Sequence, residues 1–403
     1  MPFPFRPART GAVQAYLTLE AVQSLAFALA FTLQGLYFVQ TAHLTPFQLL
    51  MVGAVLEGSV FVLEVPTGVI ADLYSRRLSI VLGCLLLGLA TLQVGLFPSF
   101  AAIVSAQVVL AAGYACLSGA QEAWLADELG EERLGAMLLL GGQYGRLAGI
   151  AGILGAATLS GLGLGVPMLA GAACLILLSL SLALWMPEVG FTPQRRQAGA
   201  SFGSTLLGGV RTVRGSRTLG LLVLAALLYG ASSEALDRLN EYHLLMDTGL
   251  PGGARPAVWF AALNLGGLVV GLLVTEPLRQ RLGTSHPRHP GRLLGLLNAL
   301  SVLGILAFAF APAFWWAASA WTALSVVRGL YGPLYTAWLT TGVPSQSRAT
   351  VNSLASQADA LGQLSFGSLF GLAGTLWGVP AALALAALVR LPTLPLFRRR
   401  EAS

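Results

Sequence analysis

The chain has 403 residues, of which 56% are hydrophobic and 10% charged, and its mean hydropathy is +0.75. A soluble domain carries about 25% charged residues, so this composition excludes an ordinary globular protein. The net charge of +6 rests on 23 basic residues, all arginine, most of them in connections between apolar runs. That placement speaks for membrane topology rather than nucleic-acid binding.

Apolar runs of about 20 residues recur along the chain and predict an all-α integral membrane protein with transmembrane helices. Twelve spans are placed at roughly 14–39, 46–71, 78–97, 99–124, 135–160, 167–187, 218–246, 255–277, 291–311, 313–340, 349–376 and 378–397. The N-terminus, MPFPFRPART, has no cleavable signal pattern, so the first span is expected to serve as its own targeting signal. Cys84, Cys116 and Cys174 fall in separate runs and form neither a disulfide framework nor a metal-spaced cluster. No metal and no cofactor are expected; His43, His243, His286 and His289 are placed in connections or near span ends.

An even number of spans puts both termini on one side. Alternate connections hold Arg6 and Arg9, Arg76 and Arg77, Arg133, the five from Arg195 to Arg217, the four from Arg279 to Arg292, Arg348, and Arg398 to Arg400. That is eighteen arginines, against Arg255 alone on the other side. The positive-inside rule therefore predicts cytoplasmic termini in a multi-pass protein of the cell inner membrane.

The longest connection divides the chain near its middle. The expected organisation is an N-terminal six-helix bundle over 1–187, a cytoplasmic linker over 188–217 and a C-terminal six-helix bundle over 218–403. The linker stretch STLLGGVRTVRGSRTL alternates apolar and basic residues at near-helical spacing, which predicts a short amphipathic helix on the membrane surface. Its Gly199-x-Ser201-x-Gly203 has the serine-hydrolase spacing, but no strand precedes it and no triad partner is evident, so it is read as a chance match. A weak repeat relates the halves: Ala123-Trp124-Leu125, Arg133 and Gln143 recur as Ala337-Trp338-Leu339, Arg348 and Gln357. Parallel repeats of this kind are a transporter architecture.

Small residues at four-residue intervals let helices approach closely. Gly141, Gly145 and Gly149 form one such row, and Gly267/Gly271 and Gly367/Gly371 form two others. Charges inside spans are a stronger signal, because each costs at least about 2.5–3.5 kcal/mol at the membrane centre. A rise of about 1.5 Å per residue places Glu57, Arg146, Arg328 and Asp359 near mid-membrane. Glu20, Glu64 and Glu122 lie nearer one face, and Glu234, Asp237, Arg238 and Glu241 nearer the other. Glu234 and Arg238 are four apart and can meet on one helical face. Ion pairing that pins helices together is one reading of these charges. Gating or proton coupling is the other, since carboxylates in low dielectric can take up and release protons.

The stretch Glu57–Arg77, EGSVFVLEVPTGVIADLYSRR, joins these signals. An aspartate at the helix end, four residues before an arginine, can cap the next element or pair with a basic group across a domain interface and hold that side shut. Asp72 and Arg76 are the expected gate. Glu57 and Glu64, seven residues apart on one helical face, would link it to the membrane interior.

GVIADLYSRR resembles the signature loop of major facilitator transporters, with Gly68, Asp72, Arg76 and Arg77 matching its glycine, aspartate and basic pair. It departs from the pattern at Leu73 and Ser75. LEVPTGVIADLYSRRLSIVLG, GAQEAWLADELGEERLG, SSEALDRLNEYHLL and AWLTTGVPSQSRATVNSLASQADALGQ are similar to the bacterial drug efflux branch that contains macrolide and tetracycline exporters. The fourth-helix arginine of proton-coupled antiporters has no counterpart here; Gln107 lies near its place, and the glycine-proline motif of the fifth helix is absent.

The resemblance implies two pseudo-symmetric six-helix bundles and a cavity lined by helices one, four, seven and ten. In this sequence those helices offer Phe31, Gln34, Gln121, Glu122, Tyr229, Glu234, Arg238, Arg328, Tyr331 and Tyr335. The implied function is proton-coupled export of amphipathic small molecules by a monomer, with Arg146 and Asp359 among the coupling residues. Two readings stay open beside it: a transporter of one metabolite such as a sugar or organic acid, and a membrane enzyme or receptor on the same scaffold. A metal-ligand cluster is absent from the sequence, which counts against an enzyme.

Overall fold

The computed structural model describes residues 7–192, 217–275, 277, 290–339 and 345–395. Among them the chain is helical throughout, with no strand. The helices are α1 (Pro7–Phe31), α2 (Gln34–Gln40), α3 (Pro46–Leu73), α4 (Arg76–Leu96), α5 (Phe100–Leu117), α6 (Ala120–Leu129), α7 (Glu131–Leu159), α8 (Val166–Trp185), α9 (Arg217–Tyr242), α10 (Pro256–Val270), α11 (Pro290–Ala309), α12 (Phe314–Leu339), α13 (Ser345–Trp377) and α14 (Val379–Val389). Helix is the form in which an apolar segment satisfies its own backbone in a membrane. Among the described residues, eight stretches are long and apolar enough to cross one, and Pro256–Val270 and Val379–Thr393 are shorter apolar helices. With the more polar α12 and α13, these make up the twelve expected spans.

Local chemistry sets the boundaries. Thr45 and Gln48 form a capping box ahead of α3: the Gln48 side chain accepts from the Thr45 amide at 2.9 Å, and the Gln48 amide donates to the Thr45 hydroxyl at 3.3 Å. Ser75 caps α4, accepting from the Leu78 amide at 2.9 Å. Prolines stand in the first turns of α8, α10 and α14, where the missing N–H is not needed. Two expected spans are interrupted. The first divides into α1 and α2 around Thr32 and Leu33, and the fourth divides at Ser118–Gly119, where Gly119 takes a left-handed φ of 73° that favours glycine. The last span is shorter than expected: α14 ends at Val389, and a single 3₁₀ turn, Leu391–Thr393, contains Pro392, which cannot extend an α-helix.

The chain divides into two compact units, Met1–His43 with Val55–Ala198, and Leu44–Ala54 with Gly199–Ser403. In the first unit α1 packs on α7 and α8, and α4 packs on α5 and α8. In the second, α9 packs on α13 and α14, and α11 packs on α12 and α14. These pairings are the same ones displaced by six spans, so the repeat is one of packing as well as sequence. The expected amphipathic linker helix, the Gly199–Gly203 match and the pair His286 and His289 lie outside the described residues.

Glycines place the helix contacts. A Cβ at Gly141 would meet the Tyr16 ring at 2.6 Å, at Gly145 the Ser24 hydroxyl at 2.8 Å, and at Gly152 the Leu25 carbonyl at 2.6 Å. Gly149, expected in the same row, has no neighbour within 4 Å. At about 100° per residue Gly149 stands roughly 80° around the helix from Gly141, whereas Gly152 returns to within about 20° of it. Gly267 and Gly271 likewise face no neighbour, whereas Gly371 meets the Phe47 Cα at 3.0 Å. The tightest approach in the second unit is between α9 and α13: methyl groups at Gly230 or Gly362 would overlap the carbonyls of Asp359 and Leu227.

Candidate functional site

Each unit contains a cavity. In the first unit a cavity of about 360 Å³ is lined by Gln23, Val60, Glu64, Tyr114, Ala115, Leu117, Ser118, Gly119, Gln121 and Glu122. The break between α5 and α6 turns Gln121 and Glu122 toward it. The Gln121 amide donates to the Gln23 side chain at 2.9 Å, and Tyr114 is edge-on to Phe27, whose ring is in turn edge-on to Phe31. Close by on α1 the Tyr16 hydroxyl hydrogen-bonds the Glu20 carboxylate. Glu64 and Glu122 therefore share one cavity, whereas Phe31 and Gln34 are not among its lining residues.

In the second unit a cavity of about 390 Å³ is lined by Ala226, Tyr229, Tyr331, Gly332, Tyr335, Thr336, Leu339, Asn352, Ala355, Ser356 and Asp359. Its wall is a ladder of three rings. Tyr229 on α9 stacks on Tyr331 of α12 with centroids 4.9 Å apart and planes within 6°, and Tyr331 stacks on Tyr335 at 5.8 Å and 13°. Tyr331 and Tyr335 are one turn apart on α12, and the Tyr335 hydroxyl donates to the Leu222 carbonyl at 2.7 Å. Pro333, inside α12 between them, removes the backbone hydrogen bond that would go to the carbonyl four residues earlier. The Asp359 carboxylate accepts from the Gln363 amide at 2.7 Å.

Four charges on α9 and α12 are paired with one another. Glu234 accepts from Arg238 at 3.0 Å, the i,i+4 contact expected from their spacing, and Gly53 leaves the space that the Glu234 carboxylate fills. Arg328 meets Asp237 with two parallel hydrogen bonds of 2.5 and 2.6 Å, and it also bonds Tyr229. Arg328, expected as a substrate contact, is thus engaged by α9 through Asp237, which the sequence reading named among the span charges without pairing it.

Arg390 was missed altogether. It is 2% exposed, stacks over Tyr229 at 4.6 Å and Tyr331 at 5.6 Å, and donates from Nε to the Asn298 side-chain oxygen at 2.9 Å. Asn298 in turn donates to the Thr393 hydroxyl at 2.5 Å. The signal was present as an arginine inside the last apolar run. His243, read as lying near a span end, is 1% exposed, with its ring nitrogens 2.8 Å from an Asp247 carboxylate oxygen and 2.9 Å from the Phe308 carbonyl. It ties the end of α9 to α11.

The signature loop is built into the first unit. The side chains of Gly68 and Asp72 lie outside the described residues. Arg76 is buried, pairs with Asp127 at 2.5 Å, donates to the Ala123 carbonyl and lies over the Phe191 ring. The Arg77 amide and the Ser75 hydroxyl donate to the two oxygens of Glu188 at 2.9 and 2.7 Å, so a carboxylate sits at the N-terminus of α4. The Arg77 guanidinium reaches the Ala183 carbonyl at 2.5 Å. Trp124 donates to the Pro187 carbonyl at 2.8 Å, and Glu128 accepts from the amides of Val189 and Gly190 at 2.6 and 2.8 Å. Asp127, Glu128 and Glu188 were not selected from sequence, because charges flanking spans read there as topology. Arg146 is exposed on α7, and Glu57 is partly buried on α3.

The whole chain can be set against known proteins. The Uncharacterized MFS-type transporter YxaM of Bacillus subtilis (strain 168) is 24% identical over 391 residues, covering 95% of this chain and 94% of that protein. Among solved structures, a mutant of nucleoside transporter NupG superposes with a TM-score of 0.81 at 13% identity, covering 96% of this chain and 99% of its own. A bacterial homolog of the human lysosomal transporter Spinster gives 0.73 at 16% identity, covering 99% and 98%. The Major Facilitator Superfamily model matches residues 17–367. Helical spans, repeated packing and sequence model agree, and the chain belongs to the Major Facilitator Superfamily of multi-pass membrane transporters rather than to the enzymes.

Proposed function

We propose that this transporter is a secondary active exporter of amphipathic small molecules, working by alternating access with proton antiport. The observation that carries the reading is the cavity of the second unit, where three stacked tyrosines supply apolar area and Thr336, Asn352, Ser356 and Asp359 supply a few polar groups. Such a wall suits ligands that are part apolar and part polar. Glu64 of the first cavity and Asp359 of the second are the carboxylates assigned to coupling, with Gln121 and Glu122 of the first cavity assigned to the substrate. Gly68, Asp72, Arg76, Arg77 and Glu57 are assigned to gating, and Arg146 to coupling. The protein is proposed to act as a monomer in the inner membrane, with two six-helix halves and both termini in the cytoplasm. The arginine distribution supports that orientation.

The same polar groups also favour a second reading, a transporter of one polar metabolite. Solved relatives include structures described as nucleoside and peptide transporters. Proteoliposomes with an imposed pH gradient separate the two. Gradient-driven movement of several unrelated amphipathic dyes, with mutual competition, is expected for the exporter. Saturable transport of a single compound that the dyes do not inhibit would establish the metabolite transporter instead. Substrate movement indifferent to the gradient would remove proton coupling.

A further inference from the structure

The two units close the end of their third span in the same way. Pro98 stands four residues after Val94 near the end of α4, and Pro312 four residues after Phe308 near the end of α11. The two positions are related by the offset that also relates Ala123-Trp124-Leu125 to Ala337-Trp338-Leu339. A proline has no N–H, so each leaves the carbonyl four residues earlier without its helical donor. Phe308 keeps only a long turn bond from the Ala311 amide at 3.2 Å. Each unit answers with a buried side chain from the end of its first span. The Tyr37 hydroxyl donates to the Val94 carbonyl at 2.8 Å, and His243 Nε2 lies 2.9 Å from the Phe308 carbonyl. The ties match in place and differ in chemistry. Tyrosine keeps its hydroxyl proton through the physiological range, whereas histidine exchanges its second ring proton within it.

His243 is also held from its other side. Nδ1 is 2.8 Å from Oδ2 of Asp247, in the π-helical stretch His243–Asp247 that closes α9. A carbonyl and a carboxylate can only accept, so both ring nitrogens have to donate, and the doubly bonded ring is an imidazolium with Asp247 as its counter-charge. The ring is 1% exposed and the Asp247 side chain 32%, so water reaches the pair at the carboxylate. The elements around it add no titratable group: residues 293–309 of α11, 314–327 of α12, 360–377 of α13, all of α14 and residues 44–54 contain none. On its own stretch of chain, Glu241 and Tyr242 precede the ring and Arg255 follows the turn.

We propose that His243 and Asp247 form a pH-sensitive catch, which fastens the end of α9 to α11 while the pair holds its extra proton and releases it on alkalinisation. Loss of that proton leaves a ring lone pair against either the carboxylate at 2.8 Å or the carbonyl at 2.9 Å. Acceptor then faces acceptor, and one of the two bonds has to open. The fastened pair binds one proton more than a neutral ring beside a free carboxylate. Its contribution to stability is therefore present on the acid side and falls as pH rises. The catch lies at the end of the unit away from the arginine-rich connections, which the orientation proposed above makes the outer face. Because α9 carries Tyr229, external pH sets how firmly one wall of the second cavity is anchored. The catch depends on neither the substrate nor the direction of transport.

The test follows thermal unfolding of full-length protein in nanodiscs from about pH 6 to about pH 9. His243→Leu removes both bonds and should melt below the parent at the acid end. That deficit is expected to shrink by at least half at the alkaline end, where the parent has lost the catch as well. In Asp247→Asn the side-chain amide can donate to a neutral ring, so both bonds survive deprotonation, and its lead over His243→Leu should stay constant across the range. Tyr37→Phe, which breaks the equivalent tie of the first unit, should carry a deficit that does not vary with pH. A His243→Leu deficit independent of pH overturns the proposal, as does the same pH variation in Asp247→Asn. A second readout needs no change at the catch: His43→Gln, His286→Gln and His289→Gln together leave His243 the only histidine, so its ring nitrogens can be followed by NMR. Protons on both nitrogens at the acid end and on one at the alkaline end are expected. A ring with one proton throughout overturns the catch, and this spectrum decides alone should His243→Leu not fold.

Discussion

Gly230 on α9 lies against the carbonyl of Asp359 on α13, so closely that any side chain at the glycine would overlap it. The carboxylate of the second cavity is therefore held by a backbone contact one helix away. Gly362 makes the reciprocal contact with Leu227. Gly230→Ala and Gly362→Ala should each destabilise the protein by about 1–3 kcal/mol through overpacking. Gly267→Ala, which meets no neighbour, should stay within about 0.5 kcal/mol of the parent or stabilise slightly. Thermal unfolding in detergent orders the three. Equal effects at Gly230 and Gly267 would remove the argument for a fixed α9–α13 contact.

The pair Arg328 and Asp237 joins α12 to α9 beside the tyrosine ladder. A double-mutant cycle with Arg328→Gln and Asp237→Asn should give a coupling of about 1–2 kcal/mol in unfolding free energy. The double variant is then less impaired than the sum of the single ones. Strict additivity would mean that the two side chains act independently.

Arg76 and Asp127 test the signature loop. Arg76 is buried, so Asp127→Ala strands a guanidinium and should cost about 3 kcal/mol. Asp127→Glu, which keeps the charge, should recover part of that loss. A melting temperature unchanged in Asp127→Ala would assign Arg76 to topology alone.

The Arg390 guanidinium lies over Tyr229 and Tyr331, with its central carbon 4.6 and 5.6 Å from the ring centres, a broad contact that lysine's compact ammonium copies poorly. Arg390→Lys keeps the charge and should still lower stability by about 1–2 kcal/mol. Trp124→Phe offers a simpler comparison, losing one hydrogen bond to Pro187 and about 1 kcal/mol. A lysine variant as stable as the parent would show that charge, not planarity, is what the tyrosines require.

Much of the candidate site was legible before folding. Tyr229, Tyr331 and Tyr335 were named on helices that the family resemblance makes cavity-lining and Asp359 as a charge near mid-membrane, and all four line one cavity. Gln121, Glu122 and Glu64 meet at the other. What could not be read was pairing. Arg328 looked like a substrate contact because nothing in the chain says that Asp237, ninety-one residues earlier, faces it. Gly149 looked equivalent to Gly145 because four-residue spacing approximates a helical turn without closing it.

The sequence by itself determined the class of the protein. Apolar runs of span length, arginines in alternate connections and the GVIADLYSRR loop are local properties of the chain, and membrane physics converts them directly into helices and an expected orientation. Only the tertiary structure decided which charges pair, such as Arg328 with Asp237 and Arg76 with Asp127. Whether Asp359 lines a cavity depends on helix rotation and separation, which glycine contacts such as that at Gly230 set across distances in sequence that no periodicity records.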